Sequence, residues 1–284
     1  MSELAKRIAF SAVAIPVVIG VIWTGGLALA LLLAVAAALA AYEFYTLAIG
    51  TGSVPLWGHG VVLSAMIPLA VHARFLGYWA PPVSVVMLVV LELLTVALWV
   101  RGAKGKPLEV VAITLLGTFY TGGMLAFGYG MRYHRFAVEP VAGTLLVLLP
   151  LLLTWATDTA AMLCGNAFGV RKLMPSVSPN KTVVGAVAGA VVAVAFSVLF
   201  VRFALQPYAR LSMPLAAAGA FGLVVCLAGQ VGDLVESMLK RQAGVKDSSA
   251  LIPGHGGALD RVDSLLFTLP VAFVLYELLL VPTP

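Results

Sequence analysis

Between residues 237 and 263 the chain gathers acids, cations and glycines in a spacing suited to phosphate and metal chemistry: Ser237, Lys240, Arg241, Lys246, Asp247, Pro253-Gly254-His255-Gly256-Gly257, Asp260, Arg261 and Asp263. Asp260 and Asp263 stand three residues apart at the expected start of a helix. Their carboxylates therefore share one face, at a helix end that favours negative charge. Asp233, with Glu236 and Ser237 one turn further on, closes the preceding apolar run. If those two helices pack side by side, Asp233, Asp260 and Asp263 meet as hard oxygen ligands of the kind that bind Mg²⁺ together with substrate phosphates. Lys240, Arg241, Lys246 and Arg261 alternate with the acids and can hold metal-bound phosphates from both sides. In the loop 253–257 the missing side chains let backbone N–H groups approach an anion, and His255 is read as a phosphate contact rather than a proton-transfer group. The structural alternatives are helix capping by Asp260, pairing of Asp263 with Arg261 or a lysine, and a snorkelling rim for Lys240-Arg241.

A second cluster comprises Asp158-Thr159, Gly165, Gly169, Lys172, Pro175 and Ser178-Pro179-Asn180-Lys181-Thr182. Ser178-Pro179 interrupts the chain just before the next apolar run, so Lys181 and Thr182 fall at a helix amino end, where phosphate binds readily; a capping turn is the alternative. Glu92 lies inside an apolar span and is a functional candidate with no assigned partner, whereas Glu43 and Glu277 are expected to reach water from near span ends.

The elements that must carry these residues are membrane helices. Of 284 residues, 62% are hydrophobic and 10% charged, and the mean hydropathy is +1.06, which is more apolar surface than a water-facing shell can hide. The apolar runs are continuous rather than alternating, which excludes a β-barrel, and their length suits the roughly 20 residues a spanning helix needs. A net charge of +5 comes with no soluble basic domain or RNA-reading motif, so anionic lipids and phosphates, not nucleic acid, are the expected partners. Cys164 and Cys226 lie apart in apolar segments and read as packing residues.

Breaks at Gly, Pro and charge clusters give an all-α bundle of nine spans, near 8–24, 27–48, 57–73, 82–100, 109–129, 142–165, 182–205, 213–240 and 261–281. Residues 1–140 are the expected scaffold, lipid and dimer region; residues 141–284 carry the chemistry. With nine spans, most of the 17 Lys and Arg fall on the side of the amino terminus, against Arg74, Arg132, Arg135, Arg202 and Arg210 on the other. The positive-inside rule then makes the amino terminus cytoplasmic and turns the acidic cluster toward the cytoplasm.

Taken in order, Ser237-x-Leu239-Lys240-Arg241, Lys246-Asp247, Pro253-Gly254-His255-Gly256-Gly257 and Asp260-Arg261-x-Asp263-Ser264 resemble the signature of the phosphatidate cytidylyltransferase (CDP-diacylglycerol synthase) family. Asp158-Thr159, Gly165, Gly169 and Ser178 to Thr182 are similar to the upstream part of that pattern. The resemblance implies a multi-pass enzyme of the inner membrane with its site facing the cytoplasm, joining CTP and phosphatidic acid into CDP-diacylglycerol and pyrophosphate. It further implies a requirement for Mg²⁺, room for a second cation, and a homodimer. By the same likeness Asp233, Asp260 and Asp263 are metal ligands, with Lys240 and Arg241 beside them at the reacting phosphates. Asp158, Ser178, Lys181, Thr182, Lys246, Asp247, His255, Gly256, Gly257 and Arg261 form the nucleotide and phosphate shell. Two departures stand out: Ala258 where a larger apolar residue is usual, and Val184 where an acid commonly follows Lys-Thr. A CTP-dependent lipid kinase and a cation-coupled transporter remain as alternatives. The transporter sits poorly with charges gathered at one face and no internal repeat.

Overall fold

The computed structural model describes the backbone of residues 3–251 and 256–283, with side chains from residue 11 onward. Nine helices run through the described residues: α1 (Glu3–Thr24), α2 (Gly26–Gly50), α3 (Trp57–Phe75), α4 (Val83–Val100), α5 (Pro107–Arg132), α6 (Pro140–Phe168), α7 (Val183–Ala209), α8 (Leu215–Gln242) and α9 (Leu259–Leu279). They fall where the apolar runs place them. Seven of them, α2 and α4 to α9, are long and apolar enough to cross a membrane. The protein is an all-α, polytopic membrane protein. The shorter α3 carries His59, His72 and Arg74, and Ser11–Thr24 of α1 is a shorter apolar stretch.

The chain forms two compact units, each drawn from separate stretches. Unit one contains residues 1–21, 26–129 and 242–262; unit two contains 22–25, 130–241 and 263–284.

In unit one, small residues bring helices close, as they must where lipid supplies no hydrophobic drive between them. Ala30, Ala34, Ala37 and Ala41 of α2 are buried at helical spacing. Ser64 of α3 donates to the Ala37 carbonyl at 3.2 Å and lies 2.7 Å from the Thr121 hydroxyl of α5. At Gly122, in a π-helical turn of α5 (Phe119–Gly123), a Cβ would overlap the backbone of Ser64. The Tyr45 ring is buried between Gly60 and Gly117, and its hydroxyl donates to the Thr114 carbonyl at 2.6 Å.

In unit two, α6 and α7 pack through Gly185 and Gly189, which face backbone carbonyls of Ala161 and Thr157. Tyr276 of α9 stacks on Phe221 of α8 with ring centroids 5.0 Å apart, and its hydroxyl donates to the Leu146 carbonyl of α6 at 2.8 Å. The buried Arg132 guanidinium closes the end of α1 by donating to the carbonyls of Ile22 (2.8 Å) and Trp23 (2.9 Å). The segment read from sequence as a simple break before α7 is a hairpin: β1 (Lys172–Met174) pairs antiparallel with β2 (Ser178–Thr182), Lys172 opposite Thr182 and Met174 opposite Ser178. Pro179 disfavours a helical Ser178, so the strand runs extended until Thr182 starts α7. A second short pair joins β3 (Leu211–Ser212) to β4 (Val281–Pro282).

Candidate active site

On the last turns of α8, Asp233, Glu236, Ser237 and Lys240 recur at spacings of three and four and therefore share one face. Lys181, at the end of β2, reaches this face and sets its Nζ 2.6 Å from Asp233 Oδ2, with both side chains about one-third exposed or less (26% and 32%). The Ser237 hydroxyl donates to the other Asp233 oxygen at 3.4 Å. One turn on, Lys240 is ion-paired with the wholly buried Glu236 carboxylate. Arg241 Nε donates to the Val177 carbonyl at 3.3 Å and ties the end of α8 to the hairpin.

Two further carboxylates share this neighbourhood. Asp158 of α6 and Asp263 of α9 each feel the negative charge of Asp233 and of one another, with Lys181 offsetting Asp158 and Lys240 offsetting Asp263. Asp263 Oδ1 accepts from the Ser264 N–H at 2.6 Å. Lys240 is already engaged by Glu236, so the three carboxylates Asp158, Asp233 and Asp263 outnumber the lysine paired among them, Lys181. That imbalance suits an added cation.

Among the described residues, no three His, Cys, Asp or Glu side chains converge as a ready-made metal cage. Mg²⁺ does not require one, since it usually keeps several waters and binds one or two carboxylates plus substrate phosphates. The carboxylates of unit two fit that pattern.

Thr182 caps α7: its hydroxyl oxygen accepts the Gly185 N–H at 3.1 Å. Gly165 and Gly169 at the end of α6 make room for it, because a Cβ would lie 2.8 Å from the Thr182 hydroxyl oxygen at Gly165 and 2.6 Å from it at Gly169. Ser178 faces Met174 across the hairpin. Val184, where an acid is usual, lies in the first turn of α7 and is 39% exposed. Gln230, which sequence reasoning passed over, sits one turn before Asp233 and donates from Nε2 to the Ala186 carbonyl at 3.1 Å. A polar side chain in an apolar helix was the signal that could have found it.

The remaining signature residues belong to unit one. Lys246, Asp247 and Arg261 are exposed. Asp260 Oδ2 accepts the N–H of Ser248 (3.0 Å), the hydroxyl of Ser248 (2.8 Å) and the N–H of Gly257 (2.8 Å). The Gly257 N–H expected to meet an anion is therefore occupied by Asp260. Gly256 takes a positive φ of 78°, and a Cβ there would lie 2.7 Å from Asp260 Oδ2. Pro253, Gly254 and His255 lie outside the described residues.

Three acids outside the signature acquire partners. Glu92 pairs with His59 at 3.5 Å, both half-exposed, on a cavity of about 610 Å³ between α3 and α4 lined also by Val62, Val85 and Leu88. Glu277 binds Arg135 (2.8 Å) and the buried His134 (3.0 Å). Burial holds His134 below its ordinary value of 6.5, with Glu277 pulling it up and Arg135 pushing it down. Glu43, expected to reach water, is 1% exposed and is corrected here to a buried group with four hydrogen bonds. It lies two turns inside α2, too deep to snorkel on a short side chain.

A family model described as the cytidylyltransferase family matches residues 5–279. The chain belongs to this family. It is 31% identical over 264 residues to a protein of Staphylococcus aureus (strain COL) named phosphatidate cytidylyltransferase, covering 93% of this chain and 95% of that one. Proteins of the same name from Bacillus subtilis (40% identical over 159 residues, 55% of this chain and 57% of that one) and Haemophilus influenzae (39% over 140 residues, 49% and 48%) match shorter stretches. This cytidylyltransferase is thus a membrane-embedded nucleotidyltransferase.

Proposed function

We propose that the enzyme transfers CMP from CTP to phosphatidic acid, giving CDP-diacylglycerol and pyrophosphate. The observation that carries the proposal is the Lys181–Asp233 pair at 2.6 Å, set among carboxylates that outnumber the lysine paired among them, in a chain of this family. A phosphate oxygen of phosphatidic acid attacks the α-phosphorus of CTP, a new P–O bond forms, the bond to the β-phosphate oxygen breaks, and pyrophosphate departs with that electron pair. A phosphate monoester has a second pKa near about 6 and is largely dianionic at neutral pH, so the site needs no strong base.

What the site must supply is relief of repulsion between two anions, together with alignment. Lys181 lies where it can turn from Asp233 to a phosphate oxygen. Glu236 holds Lys240 in one orientation, and the Val177 carbonyl does the same for Arg241. Asp233 and Asp263 would hold Mg²⁺. When bound, the ion would neutralise phosphate charge and favour departure of pyrophosphate.

Positive-inside asymmetry supports a site at the cytoplasmic face of the inner membrane, where CTP meets a headgroup from the leaflet. The family resemblance extends the proposal to a homodimer and leaves room for a second cation. The deciding experiment incubates purified protein with phosphatidic acid and CTP labelled at the α- or γ-phosphate. Label from the α-position in a nucleotide-linked lipid, with pyrophosphate released, supports the proposal. Transfer of the γ-label to lipid would replace it with kinase chemistry.

A further inference from the structure

We infer that Glu43 is a positioning residue for the cytidylyl-transfer site, clamping both ends of the segment 248–259 onto α2; this rests on the function proposed above. Glu43 Oε1 accepts the Ser249 hydroxyl at 2.7 Å and the Ala258 N–H at 2.9 Å; Oε2 accepts the Ser248 hydroxyl at 2.8 Å and the Leu259 N–H at 2.7 Å. All of these residues belong to unit one. A buried carboxylate is tolerated only when hydrogen bonds replace its water, and four donors here do so.

The donors come from two places in the chain. Ser248 and Ser249 follow Lys246-Asp247, whereas Ala258 and Leu259 open α9, the helix that carries Asp260, Arg261 and Asp263. A helix start leaves its first N–H groups without partners inside the helix, and Glu43 supplies an acceptor from another helix altogether. One acid side chain thereby sets where the signature loop begins and how α9 starts.

The clamp reaches Asp260 through Ser248. The Ser248 hydroxyl oxygen is 2.8 Å from both Glu43 Oε2 and Asp260 Oδ2, and its single proton can serve only one of them at a time. The two carboxylates are therefore coupled through one hydroxyl. Gly257 fits the same knot: a Cβ there would overlap the Ser248 hydroxyl and the Glu43 carboxylate. Because the N–H groups of Gly257, Ala258 and Leu259 are all engaged by carboxylates, Glu43 positions Ser248, Ser249, Ala258 and Leu259 rather than turning those amides toward phosphate.

Glu43→Gln tests the clamp, since the amide keeps the shape but sets N–H donors against the N–H donors of α9. Three readouts are taken on full-length protein in detergent: amide hydrogen exchange at Ala258 and Leu259, the amount of folded protein, and kcat and KM for CTP and for phosphatidic acid on the folded fraction. Faster exchange at both amides is expected, with kcat of the folded fraction lowered about 10- to 100-fold, the range typical for partners that orient functional groups. Ser248→Ala should lose less, because Glu43 keeps its bonds to Ser249, Ala258 and Leu259. Unchanged exchange would show that the clamp is absent. Faster exchange with kcat within about twofold of the parent would make Glu43 purely structural, since loss of stability reduces the folded amount without altering turnover of what remains. If Glu43→Gln does not fold, the double variant Ser248→Ala/Ser249→Ala retains the backbone bonds and must still lower kcat, and an unaltered kcat overturns the inference. A parent protein that makes no CDP-lipid refutes the proposed function alone, while the exchange data still decide whether the clamp exists.

Discussion

Lys181→Met isolates the contribution of the cation nearest the acidic group. Its Nζ stands 2.6 Å from Asp233 Oδ2, and the two side chains are 26% and 32% exposed. A unit charge about 4 Å from a phosphate oxygen in surroundings of effective dielectric near 20 interacts by roughly 4 kcal/mol. Partial exposure and the competing Asp233 carboxylate reduce that by about half, leaving about 2 kcal/mol, or roughly a 30-fold loss in kcat/KM for CTP. Met nearly conserves the length of the side chain, so the hairpin register of Lys172 with Thr182 and the Thr182 cap should persist. The assay follows CMP transfer from labelled CTP to phosphatidic acid in mixed micelles, with melting temperature measured on the same preparation. Lys181→Arg should recover part of the loss, because it keeps the charge but not the compact ammonium. A Lys181→Met enzyme within about threefold of the parent in kcat/KM, at equal folded amount, would refute the idea that this cation offsets phosphate charge.

Other perturbations separate chemistry from architecture. Asp263→Asn should leave the protein folded and membrane-inserted while lowering turnover by at least roughly 100-fold, and near-normal turnover would remove Asp263 from the site. A chelator should abolish activity and added Mg²⁺ restore it; turnover that ignores both would contradict the carboxylate assignment. Gly122→Ala should destabilise the helices of unit one by about 1–3 kcal/mol in denaturant titration, because the new methyl meets the backbone of Ser64, and unchanged stability would show that α5 can shift. His134 is held below its ordinary value of 6.5, so the unfolded chain takes up that proton first as pH falls. Its contribution to stability is present above about 6.5 and declines below it. Between pH 7.5 and 5.5 the melting temperature of His134→Gln should therefore fall less than that of the parent, and an equal fall would show that His134 adds nothing to acid sensitivity.

Much of the fold was legible from residue order. Uncharged runs of membrane-crossing length, punctuated by Gly and Pro, can satisfy their backbone only as helices, and so the helices lie close to the expected boundaries. The hairpin between β1 and β2 was not legible, because three- and five-residue strands bounded by turns carry no period long enough to separate them from a loop. At the site, the sequence places Glu236 and Ser237 one turn beyond Asp233, since that depends only on helical geometry, and the structure adds Lys240 to the same face. The sequence places Lys181 at a helix amino end, but its pairing with Asp233 at 2.6 Å needs the hairpin to fold back onto α8.

Glu43 marks the boundary between the two kinds of knowledge most clearly. By sequence it is one acid within a 25-residue apolar helix, and the local rule that a charge near a span end reaches water sends it outward. Its donors lie more than 200 residues away, in Ser248, Ser249, Ala258 and Leu259. Composition and periodicity determined that the protein is a helical membrane protein with a polar signature, because burial of apolar surface and backbone hydrogen bonding act on every residue locally. Which acid would be buried, which N–H groups would be filled and which cation would face which carboxylate was decided by tertiary structure alone, because a hydrogen bond acts over about 3 Å and no sequence interval reports that distance.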